Sequence, residues 1–137
     1  MMHFLAKKMV LSSLLRLQLI YCGLGVGYNL VSYIKAATGG KPLASTSPVV
    51  GTAFMLFYGL CLLPGYRGAH KLYRILMALF VLVTGYGGII KHFIVYAQQP
   101  DAYSSQLAWV AAIGINVFGT LLNLLAVAGR FESNPEI

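Results

Sequence analysis

Lys91 and His92 are the side chains of this 137-residue sequence whose type and position most invite chemistry. They interrupt an apolar stretch: residues 75–90 carry no charge, and Phe93 to Ala97 resume the run beyond them. An ionisable residue inside an apolar span costs about 2.5–3.5 kcal/mol at the bilayer centre on insertion scales, which makes it a functional candidate by default. Two fates are open to Lys91. It precedes Ala97 by six residues, roughly 9 Å along a helix axis, so its ammonium can reach a polar boundary on its flexible stem. Alternatively it stays among the helices as part of a site. Histidine titrates near neutrality, yet a single histidine is neither a haem nor a zinc site, and His3 and His70 fall at the opposite end of the predicted layout.

A second pattern is the polar series Asn116, Thr120 and Asn123, whose spacings of four and three place it on one helix face. Asn29 and Ser32 in the first apolar run, and Thr84 in the third, are candidates to face it. Such amides and hydroxyls join transmembrane helices at about 0.6 kcal/mol each on average, or they line a pocket for a solute, lipid or quinone. A third pattern is glycine. Gly23 and Gly27 form a GxxxG, Gly51 and Gly59 share a face, Gly85, Gly87 and Gly88 cluster, and Gly114 and Gly119 lie in the last run. Small residues let helices approach closely. Gly23, Gly27, Gly85, Gly88 and Gly119 are therefore expected at helix contacts within the chain, with dimerisation through Gly23 and Gly27 as the alternative.

Catalytic signatures do not accompany these residues. The sequence has no GxSxG, HExxH or Walker A pattern, and no cluster with metal-ligand spacing. The acids are Asp101, Glu132 and Glu136, all outside the apolar runs, whereas proton-coupled pumps rely on intramembrane acids or histidine chains. No catalytic, cofactor-binding or metal-ligating residue is assigned. Cys22 and Cys61 sit in apolar runs at different expected depths, which suits small buried hydrophobes rather than a disulfide.

The elements that must position these residues follow from composition. The chain is 58% hydrophobic and 9% charged, with mean hydropathy +0.76; a soluble domain carries about 25% charge. A globule this small cannot hide so much apolar surface from water. Continuous apolar runs favour helices over barrel strands, because in hydrocarbon the backbone must pair internally and barrel strands alternate in polarity. The reading is one all-α membrane domain over residues 1–137, a four-transmembrane-helix bundle with spans at 13–34, 47–66, 72–97 and 106–128. The basic N-terminal segment leads into a run too long for a signal-peptide core, so the first span reads as uncleaved. Ser47-Pro48 supplies an N-cap and first helical position for the second span. That span is the shortest, because Pro64 and Gly65 break its last turn, and a re-entrant segment is its alternative. Gly129 suits a C-terminal cap of the fourth span.

Charge sets the orientation. Lys7, Lys8, Arg16, Arg67, Lys71, Arg74 and Arg130 fall on one side, against Lys35, Lys41 and Lys91 on the other. The excess predicts both termini on the cytoplasmic side. Tyr33, Tyr96, Tyr103 and Trp109 are expected at the outer headgroup level and Tyr66 and Tyr73 at the inner one. Tyr21, Tyr28, Tyr58 and Tyr86 are expected deeper, facing the bundle so that their hydroxyls find partners.

The functional expectation is a small polytopic protein of the bacterial cytoplasmic (inner) membrane acting as a non-enzymatic accessory, assembly or self-associating subunit. Its loops are too short to hold an active site. Its partners would be membrane lipids and a homo-oligomer or larger membrane complex. The net charge of +7 is not a nucleic-acid footprint, because the basic residues are spread between apolar runs with no recognition fold. One alternative is a transporter or channel subunit for a small or anionic solute, with Lys91, His92, Asn116 and Asn123 along the path. Another is a quinone- or haem-linked component of a redox system.

Overall fold

In a computed structural model that describes residues 7–134, helices make up about three-quarters of the described residues. His3, Glu136 and the last residues of the polar tail lie outside the described residues. A two-residue strand β1 (Met9–Val10) leads directly into α1 (Leu11–Ala37). Then come α2 (Pro48–Leu60), a short α3 (Leu63–Tyr66) and α4 (His70–Val83). A π-helical segment (Thr84–Ile90) continues α4 into α5 (Lys91–Gln98). A 3-10 turn (Pro100–Ala102) precedes α6 (Gln106–Val127), and strand β2 (Phe131–Glu132) follows.

Four stretches are long and apolar enough to cross a membrane: Leu11–Ala37, Pro48–Tyr66, His70–Gln98 and Gln106–Val127. The end signals expected at Ser47-Pro48 and Gly129 are used, and Ser105 adds a cap beyond those expected from the sequence. Ser47 Oγ accepts from Val50 N and Pro48 opens α2. Ser105 Oγ accepts from Ala108 N at 3.0 Å to cap α6. Gly129, at φ +65°, takes the left-handed turn that lets Arg130 N reach back to Leu125 O at 2.9 Å. The second stretch does break near its end, at Cys61-Leu62, and Pro64 is accommodated in the first turn of α3, where its missing N–H costs nothing.

α1 packs along α2 and along α6, and α4 with the π segment packs along α6; α2 does not lie alongside the π segment or α5. The gap between α2 and the third stretch is bridged by rings, with Phe54, Phe57 and Tyr58 all against Phe80. The two ends of the described chain meet. β1 pairs in parallel with β2, Met9 opposite Phe131. Arg74 Nε and Nη2 donate to Val127 O at 3.1 and 2.8 Å, and Phe131 sits edge-on to Tyr73 and His70. This terminus end is opposite the far end, which holds loops 38–47 and 99–105.

Polarity is distributed inside out relative to a water-soluble domain. Gln18 and Asn123 are 0% exposed and Thr84 and Ser32 2%, whereas Leu82, Leu60, Val50 and Leu107 are 63–77% exposed. An exposed apolar surface around buried polar groups is the informative departure from the usual pattern.

Candidate functional site

The residues singled out by sequence divide into two polar centres at different depths. The one nearer the termini is a sealed knot joining all four long stretches. Gln18 on α1 donates Nε2 to Asn123 Oδ1 on α6 at 3.0 Å and contacts Met77 Sδ on α4 at 3.2 Å. Tyr73 on α4 donates its hydroxyl to Gln18 Oε1. Tyr58 on α2 donates to Asn123 Oδ1 at 2.7 Å. Asn123 Nδ2 has no hydrogen-bond partner among the described residues. Gln18 went unremarked in the sequence because an uncharged amide does not interrupt a run defined by the absence of charge. Tyr73, expected at a headgroup, is fully buried: four residues of α4 beyond Ala69 carry it inward to Gln18.

Above the knot lies an aromatic floor. Tyr21 and Tyr58 meet edge to face at 5.1 Å, and Tyr58 meets Phe80 at 4.9 Å. Met55 completes it, packed where α1 presents only Gly25. A Cβ on Gly25 would force the flexible Met55 side chain to shift, and one on Gly119 would collide with the Tyr21 ring, so close approach requires glycine at 119. At the floor's edge the hydroxyls of Thr84 and Thr120 are 2.9 Å apart.

The second centre is a chamber of about 270 Å³ between the floor and the far end. α1 contributes Tyr28, Asn29 and Ser32, and α2 contributes Val50, Gly51 and Phe54. The π segment brings Gly87 and Gly88, followed by Lys91 and His92; α6 brings Ala112, Ile115 and Asn116. No Asp or Glu lines it. It opens where α2 stands away from the third stretch, since both Val50 and Val83 line it while remaining 63% and 52% exposed.

The π segment is what aims the two ionisable residues. Thr84 Oγ1 bonds back to Phe80 O at 2.7 Å, and three glycines follow, so the local α-helical preference is weak. Lys91 N then bonds to Tyr86 O, five residues back. A one-residue insertion in a turn rotates every later side chain by about 100° around the axis. Lys91 is exposed at the chamber's rim, while His92 is buried in its wall. His92 Nδ1 lies 2.6 Å from the Tyr103 hydroxyl, which also points toward His92 O at 3.5 Å. Trp109 Nε1 donates to His92 O at 3.1 Å, and Trp109 stacks on Tyr96 at 4.1 Å. Tyr103 is only 2% exposed, and its burial pushes the phenol above its ordinary pKa.

The predicted polar series is therefore divided among three environments. Asn123 belongs to the knot, Thr120 to the floor, and Asn116 to the chamber. Asn29 and Asn116 bond back to carbonyls of their own helices, Gly25 O and Ala112 O, each at 2.8 Å. They lodge against Gly51 and Gly88, where a Cβ would overlap the amide. Ser32 Oγ accepts from Leu43 N in the far loop at 2.9 Å. Gly88 and Gly119 thus sit at close contacts, whereas Gly23, Gly27 and Gly85 have open space at their Cβ positions. Tyr21, Tyr28 and Tyr58 turn inward, but Tyr86 is 62% exposed: two residues after the buried Thr84, it occupies the opposite helix face.

The described residues include no group of three His, Cys, Asp or Glu able to hold a metal ion. Compared with known protein families, curated proteins and solved structures, the chain matches none.

Proposed function

We propose that this chain is a polytopic protein of the bacterial cytoplasmic membrane that crosses the bilayer four times with both ends inside. It acts there as a non-enzymatic accessory subunit holding a small molecule in the chamber. The observation that carries the binding reading is a cavity in which Asn29, Ser32, Lys91, His92 and Asn116 stand among apolar side chains, with Met55 of the aromatic floor in its lining. The apolar exterior supports insertion. The basic residues at the terminus end, Arg16, Arg67, Lys71, Arg74 and Arg130 with Lys7 and Lys8, support the orientation. The floor also weighs against a continuous solute path through a single chain, since Asn123 lies below it and Asn116 above.

The test is retention of a small molecule by protein purified into phosphatidylcholine nanodiscs, read by native mass spectrometry. Ala112→Phe fills the chamber from within, and Val50→Trp fills it from the exposed rim without disturbing the core. A mass adduct on the wild type that both variants lose supports the reading. No adduct on the wild type, or one that both variants keep, counts against it.

A second role in assembly is favoured by one observation: among the described residues nothing packs on the GxxxG of α1. Gly23→Leu should then abolish a cross-linked dimer in membranes; a monomer-only wild type removes this role.

A further inference from the structure

The chamber's chemistry narrows the class of molecule it takes, on the reading that it is a binding site in a membrane. We infer that the ligand is a long-chain carboxylate amphiphile, its headgroup beside Lys91 and its tail leaving through the gap between α2 and the third stretch. Three observations lead there. First, Lys91 is the cation of the lining, and no acid occurs anywhere in the four long stretches to neutralise it. A carboxylate supplies the missing charge and accepts several hydrogen bonds at once.

Second, the imidazole and the two amides of the lining are already engaged within the chain. His92 spends Nδ1 on the Tyr103 hydroxyl. Asn29 and Asn116 each spend an amide N–H on their own helix, and their amides are lodged against Gly51 and Gly88. The headgroup's place is therefore the rim.

Third, the opening is lateral and apolar. Val50 and Val83 flank it while exposed, and their surroundings in the proposed orientation are acyl chains. An opening of that kind admits a tail that remains partly in the bilayer. A water-soluble anion would gain nothing from it.

The chain carries its own reporter. Trp109 is the sole tryptophan, and it bonds to the carbonyl of His92. In phosphatidylcholine nanodiscs, 9,10-dibromostearic acid should quench Trp109 at concentrations roughly tenfold lower than its methyl ester, the scale of one charge-assisted hydrogen bond. Unbrominated stearate should reverse the quenching and propionate should not. Lys91→Gln should erase the preference for acid over ester. Equal potency of acid and ester on the wild type overturns the carboxylate assignment, as does a preference that survives Lys91→Gln. Reversal by propionate overturns the tail. If ester or a neutral quinone analogue binds with no preference for acid, the chamber still binds and only the ligand class fails. If nothing binds, and Ala112→Phe changes nothing, the underlying binding reading fails as well.

Discussion

Replacing Gln18 by leucine isolates the polar knot, because leucine has nearly the same volume and leaves no cavity for packing losses to dominate. The substitution removes the bond to Asn123 at 3.0 Å and the contact with Met77 at 3.2 Å, and strands the Tyr73 hydroxyl in a position that is 0% exposed. Interhelical polar contacts in membranes average about 0.6 kcal/mol, with a maximum near 1.7, and a stranded buried donor costs about 1–3 kcal/mol. Together these give about 2 kcal/mol for Gln18→Leu, a change of about 30-fold in the folded-to-unfolded ratio. Tyr73→Phe alone should cost about 1 kcal/mol, since Gln18 Oε1 loses its donor but Gln18 keeps Asn123. The double variant should cost no more than Gln18→Leu, because the stranded hydroxyl is gone. The coupling between the two sites is then about 1 kcal/mol. Equilibrium unfolding in mixed micelles, followed by far-ultraviolet circular dichroism, measures all four proteins. Additive costs, or a Gln18→Leu protein as stable as the wild type, would refute the knot as a structural link.

Other substitutions read other parts of the fold by the same unfolding assay. Gly119→Val drives a side chain into the Tyr21 ring and should cost about 1–3 kcal/mol by overpacking, whereas Gly23→Val, with open space at its Cβ, should cost the monomer far less. Ser105→Ala removes the side-chain cap of α6 and should destabilise by about 0.5–2 kcal/mol. Arg74→Ala frees the Val127 carbonyl at the end of α6; on this exposed surface the loss should be about 0.5–1 kcal/mol and should shrink as salt is raised.

The sequence made the helices and several of their ends legible because these depend on local chemistry. Unbroken apolar runs, Ser47-Pro48 and Gly129 each act within a turn or two. Positions across helices were less legible. Spacing put Asn116, Thr120 and Asn123 on one face, but seven residues of rise is about 10 Å, enough to pass from chamber to floor to knot. Nothing local distinguishes those depths. Gln18 was hidden because its importance comes from Tyr73 and Asn123, 55 and 105 residues away in sequence. The π segment coincides with a run of weak helix formers, and Gly88 within it lies against Asn116. A glycine cluster announces weakness without announcing which way the helix yields. The pairing of β1 with β2 is too short to leave a periodic signal.

Insertion with both ends inside is the claim on which the chamber's position and its proposed ligand both rest, and single-cysteine labelling tests it most directly. In a Cys22→Ala, Cys61→Ala background, Lys41→Cys samples the far loop and Lys71→Cys the start of α4 at the terminus end. In intact cells with a permeable outer layer, a membrane-impermeant maleimide should label position 41 at once and position 71 only after the cytoplasmic membrane is opened. Labelling of both positions from outside, the reverse order, or recovery of the protein in the soluble fraction would contradict the account.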